Sequence, residues 1–129
     1  MSLFDQRASN EIVFVNGAKI SETAGPRIIG SRSFDASRLP QEGLTFNWEV
    51  SLAVSLGSIF AQIQLYNLTA GGVVAGSQLQ TALTTAQNLS AVITLPLSLQ
   101  EYEVRLNISS QPASEFATSW YAAIRPTWV

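Results

Sequence analysis

From Leu44 the even positions read Leu44, Phe46, Trp48, Val50, Leu52, Val54 and Leu56, with Thr45, Asn47, Glu49, Ser51, Ala53 and Ser55 between them. This period of two predicts a long strand with one face buried. Gly57-Ser58 interrupts the pattern. It resumes from Ile59 to Leu68, with Ile59, Ala61, Ile63 and Leu65 on one face and Phe60, Gln62, Gln64 and Tyr66 on the other. The short interruption predicts that the two segments pair as a hairpin.

Ala70-Gly71-Gly72 reads as a turn, Val73-Val74-Ala75 as a short strand and Gly76-Ser77 as a second turn. Leu89 to Leu95 alternates again until Pro96. Glu101 to Ile108 places Tyr102, Val104, Leu106 and Ile108 inward against Glu101, Glu103, Arg105 and Asn107. A last strand, Glu115 to Arg125, carries Phe116, Thr118, Trp120, Ala122 and Ile124 on its apolar side and ends at Pro126. Weaker strand patterns cover Glu11 to Val15 and Arg27 to Phe34, with turn signals at Asn16-Gly17 and Ala24-Gly25-Pro26. The best helical alternative, Gln78 to Asn88, is Thr-rich and has no clean apolar stripe. The pattern predicts an all-β fold: a single-domain antiparallel β-sandwich, jelly-roll-like, of about eight strands. Residues 10–129 form the domain and residues 1–9 an N-terminal arm outside the strand pattern.

Composition narrows the chemistry. The 129 residues contain no cysteine and no histidine. Disulfide scaffolds, thiolate metal sites and catalytic triads built on histidine or cysteine cannot be made from this chain. The seven basic residues are scattered and the net charge is −2, which gives no electrostatic footprint for nucleic acid. The beginning of the sequence lacks the charged and apolar regions of a signal peptide. No run approaches the ~20 apolar residues of a membrane span. The expectation is therefore a chain made in the cytoplasm with no membrane partner.

Charge placement adds a further clue. Only 12% of the residues are charged, and between Glu49 and Glu101 there is no Asp, Glu, Lys or Arg. Depletion of charge marks the cores of protein–protein interfaces and removes the usual protection of strand edges. Strands facing neighbours in an assembly account for such a segment.

Glu101 and Glu103 project from one strand face and could in principle serve hydrolysis or hold a cation. A solvated row completed by Arg105 accounts for them more simply. Asp5 and Asp35 sit in no calcium-loop pattern, and no cofactor is implied. Trp48 and Trp120 fall in buried registers and read as core. Trp128, after Pro126, is a candidate assembly contact or cap, together with Leu3 and Phe4 of the arm. Tyr66 and Tyr121, opposite the apolar stripes, are candidates for surface recognition. The Asn-X-Ser/Thr triplets at Asn67, Asn88 and Asn107 read as a product of Ser/Thr-rich composition.

The stretch from Ala61 through Leu65-Tyr66-Asn67-Leu68-Thr69 to Ser77, followed by Tyr102-Glu103-Val104-Arg105-Leu106, resembles β-sandwich modules of tailed-bacteriophage virion proteins. These include head decoration (cement) proteins and tail-fibre or baseplate domains. The resemblance implies an oligomerising sandwich, often a trimer, on a capsid or tail. The expected function is thus a non-enzymatic virion structural protein, foremost a capsid decoration protein. Its partners would be itself, with a trimer favoured, and a capsid or tail protein. A tail-fibre or baseplate component is the alternative within that class. A carbohydrate-binding module using Tyr66, Tyr121 or Trp128 is the alternative outside it.

Overall fold

The computed structural model describes residues 11–22, 25–110 and 114–129. Among these the chain forms nine strands. They are β1 (Ile12–Ser21), β2 (Arg27–Asp35), β3 (Leu44–Val54), β4 (Ala61–Asn67), β5 (Gly72–Val73), β6 (Leu79–Thr81), β7 (Gln87–Ile93), β8 (Leu99–Ile108) and β9 (Ala117–Trp128). A short 3-10 turn, Ala36–Arg38, is capped by the Asp35 carboxylate, which accepts from the Ser37 backbone N–H at 3.0 Å. The arm residues Leu3 and Phe4 lie outside the described residues.

Two antiparallel sheets face each other. One has the order β1-β9-β3-β7 and the other β2-β8-β4-β5, with β6 also pairing with β4. The predicted β-sandwich is therefore observed. The alternating apolar positions meet in the middle: Trp48, Leu52, Ile63, Leu65, Tyr102, Val104, Leu106 and Ile108 are all fully buried. Phe14 packs edge-to-face on Trp48 (ring centroids 6.1 Å apart) and on Tyr102 (6.4 Å), joining the sheets through an aromatic trio.

Leu65-Tyr66-Asn67-Leu68-Thr69 has a structural job. The buried Asn67 accepts from the Ala70 N–H at 3.0 Å and donates to Gln100 Oε1 at 3.1 Å. Thr69 Oγ1 accepts from the Glu101 N–H at 2.9 Å. Together they staple the turn after β4 to the start of β8. Asn67, being buried, is not a glycan acceptor.

The structure corrects several expectations. β3 and β4 do not form a hairpin: β3 pairs with β9 and β7, and β4 with β8, β5 and β6. Both strands carry apolar faces that fit one core from opposite sides, so the link at Gly57-Ser58 crosses between sheets. Asn16-Gly17 is no turn. β1 runs through it as a bulge, pairing Asn16 with Tyr121 and Lys19 with Ser119, and Gly17 takes φ +117°. β9 does not end at Pro126 but pairs it with Phe46. β1 begins its ladder at Ile12 opposite Ile124, so the missing N–H of Pro126 disrupts no β1 bond. Gln78 to Asn88 contains β6, a bend and the start of β7, and no helix.

Trp120 is the largest error of register. It is 39% exposed, whereas its neighbour Ser119 is fully buried. β9 holds one more residue than β3 between the Tyr121↔Ser51 and Thr118↔Ala53 pairs, which breaks the alternation. The Trp120 N–H, displaced from the ladder, donates to Ser51 Oγ at 3.0 Å.

Candidate binding groove

The outer face of the β1-β9-β3-β7 sheet carries the polar residues left over from the core pattern. The pairings set them in rows across the strands. Asn16, Tyr121, Ser51 and Asn88 form one row, and Val13, Ala123, Glu49 and Ser90 the next. Asn47 follows, between Arg125 and Val92. Small side chains (Ser51, Ala123) sit among long ones, and the face sinks into a groove of about 330 Å³ lined by Glu49, Asn88, Ser90, Tyr121 and Arg125. Ala123 is fully buried beneath its neighbours.

The long side chains are held in place. Arg125 Nη2 lies 2.8 Å from Glu49 Oε1 and 3.9 Å from Glu11 Oε1, and the Tyr121 hydroxyl donates to Glu11. This chain of contacts fixes the Tyr121 ring, the guanidinium and the Glu49 carboxylate together. Asn88 and Ser90, on edge strand β7, face them as exposed amide and hydroxyl. Such a set can donate and accept hydrogen bonds at several points around one aromatic ring.

Tyr66 lies on the opposite sheet and does not join Tyr121. The Arg105 guanidinium covers one face of its ring, 3.5 Å from the centroid. Arg105 also donates to Glu103 Oε1 through Nε at 2.8 Å and Nη2 at 2.5 Å. The expected solvated row is thus corrected in part. Glu101 is exposed, but Glu103 is only 5% exposed under its partner. Beside them Asn107, Gln62 and Gln80 form a hydrogen-bonded ladder of amides at 3.1 and 3.0 Å. Trp128 ends β9 opposite Leu44, and its indole N–H donates to the Pro40 carbonyl at 2.7 Å, so within the chain it closes the end of the sandwich. Of the candidates for recognition named from sequence, only Tyr121 lies in the groove; the triplet at Asn88, read there as composition, also lines it. Glu49, Asn88, Ser90 and Arg125 carry no binding expectation in the sequence reading. Only the polar side of the alternating stripes signals them, and it does not say which strands adjoin.

The uncharged segment, which gives the groove Asn88 and Ser90, also supplies an adjoining flank. β5, β6 and β7 lie together along one flank, where the last strands of the two sheets approach each other. Among the described residues, eight of the twelve exposed large hydrophobic side chains fall between Leu56 and Leu99, including Val73, Leu83, Val92 and Leu97.

No family model matches the chain, and no curated protein matches it. Solved structures do. The CBM36-1 domain of a multidomain xylanase from the hindgut metagenome of Trinervitermes trinervoides superposes with a TM-score of 0.59 at 10% identity, over 93% of this chain and 98% of that one. The carbohydrate-binding module CBM36 in complex with calcium and xylotriose gives 0.54 at 17% identity, over 92% and 99%. A chain of infectious bursal disease virus, Gx strain, gives 0.56 at 12% identity; it is matched over 90% of this chain, which spans only 30% of the viral one. At these identities the likeness establishes the fold: a β-sandwich shared by carbohydrate-binding modules and a viral protein.

Proposed function

We propose that this chain is a non-enzymatic virion structural protein, a capsid decoration subunit that associates with further copies of itself through the β5-β6-β7 flank. One observation carries the reading. The 51 uncharged residues between Glu49 and Glu101 supply a whole flank of the sandwich and most of its exposed large hydrophobic side chains. Edge strands in proteins that stay monomeric are usually guarded by charge, above all by lysine. The chain's one lysine, Lys19, is on β1, the edge strand at the other side of its sheet from β7.

Val92, 66% exposed on β7, is the most open large side chain of the flank. Burial of apolar surface there contributes roughly 25 cal/mol per Å², and a stable interface needs about 1,000 Å² or more in total. The choice of a virion rests on the sequence resemblance and is in keeping with the sandwich that the chain shares with the viral protein. The carbohydrate-binding alternative uses the groove, whose lining shares β7 with the flank but includes none of the flank's exposed large apolar side chains.

Val92→Lys tests the proposal. A lysine on the flank should reduce the mass in solution to that of one chain while leaving the melting temperature within a few degrees. An assembly unaffected by Val92→Lys and by a second variant, Leu97→Asp, would reject the flank as its contact.

A further inference from the structure

We infer that the groove between β9, β3 and β7 is a saccharide site, selective for neutral, hydroxyl-rich glycans over anionic ones. Its volume, about 330 Å³, is at the small end of ligand pockets and holds about one or two sugar residues. The lining groups suit sugar hydroxyls. Glu49 and Arg125 present a carboxylate and a guanidinium 2.8 Å apart, able to accept from and donate to adjacent hydroxyls. Asn88 offers both an amide donor and an acceptor, and Ser90 a hydroxyl that does either. Tyr121 supplies a ring for the C–H face of a pyranose, and its hydroxyl, held by Glu11, limits the ring's motion. Holding these groups in place before the ligand arrives lowers the ordering cost of binding.

Charge sets the selectivity. Within the lining Glu49 and Arg125 balance, and Glu11, which holds Tyr121 and lies 3.9 Å from Arg125 beside the groove, tips the cluster to one net negative charge. Sialylated, uronic or sulfated sugars would meet that charge in a partly shielded site, and Arg125 is already committed to two carboxylates. The same balance disfavours a phosphate backbone as the occupant.

The test is a glycan array carrying neutral and sialylated glycans, with titrations of xylotriose, cellotriose and maltotriose followed by amide chemical shifts. The inference expects saturable binding of at least one neutral glycan, with shifts centred on Glu49, Asn88, Ser90 and Tyr121. Asn88→Ala should weaken that binding at least tenfold and Glu49→Gln at least fivefold, with melting unchanged. Ser90→Phe, which fills the groove from exposed β7, should abolish it and serves as the check if either of the other variants misfolds. Failure of every neutral glycan to bind would overturn the inference. So would preference for the sialylated set, shifts centred on Tyr66 and Gln64, or indifference to Ser90→Phe. Val92 stands on the same face of β7 as Ser90 but does not line the groove, so glycan binding that persists in Val92→Lys separates this result from self-association.

Discussion

Tyr102→Phe should make the protein more stable at neutral pH and should remove a loss of stability that the parent suffers in alkali. Tyr102 is 1% exposed, and its hydroxyl has no hydrogen-bond partner among the described residues. A buried polar group left unpaired costs about 1–3 kcal/mol. Phenylalanine keeps the ring and its edge-to-face contact with Phe14 at 6.4 Å. Against the gain stands the small void left by one oxygen, so the net expectation is about 1 kcal/mol of added stability. For a domain of this size that is ~3–5 °C in Tm.

The pH effect has a definite sign. Burial pushes the Tyr102 hydroxyl up to about 12, whereas an exposed tyrosine ionises near 10. Between those values the unfolded chain has released the proton and the folded chain retains it. The unfolded state therefore binds fewer protons, and stability falls as pH rises. The contribution is fully present below about pH 10 and is lost towards pH 12. At ~1.4 kcal/mol per unit the loss is about 2–3 kcal/mol. All other ionisable groups are common to the two proteins and cancel in the comparison. Urea unfolding followed by tryptophan fluorescence, at intervals from pH 7 to 11.5, gives the difference directly. Parallel stability curves for parent and variant, or a variant weaker by more than about 1 kcal/mol at pH 7, would refute the reasoning.

Other perturbations follow from single contacts. Gly30→Ala should cost about 2 kcal/mol or more in urea unfolding, because its Cβ would meet the Phe14 carbonyl oxygen at 2.3 Å, where β2 passes β1. Arg105→Ala strands the Glu103 carboxylate and uncovers Tyr66, for a loss of about 2–3 kcal/mol. The double variant Glu103→Gln/Arg105→Ala should recover part of that loss, and an equal or larger loss would show that the pair is not the cause.

How much of this was legible in the chain differs from element to element. β3, β4 and β8 are legible to within two residues at each end, since their stripes face one core and alternate in sequence without interruption. Their partners were not. The alternation of β3 and β4 is the same whether they pair with each other or oppose each other across the core, so the hairpin was a natural mistake. Local patterns also fail wherever a residue is added to a strand. The bulge opposite Ser51 turned Trp120 outward, and the one at Gly17 disguised a strand as a turn. The groove was hidden for a related reason: Glu49, Ser90 and Tyr121 are far apart in sequence and become neighbours only through the β9-β3-β7 order. The charge-free segment, by contrast, is plain from the sequence, and the fold adds that its β5, β6 and β7 lie along one flank.

Light scattering of the purified chain across a dilution series tests the assembly claim most directly. The account predicts a defined species of more than one 13.9 kDa chain, dissociating on dilution and reduced to one chain by Val92→Lys. A mass of one chain at every concentration, up to the highest the protein tolerates, would contradict it.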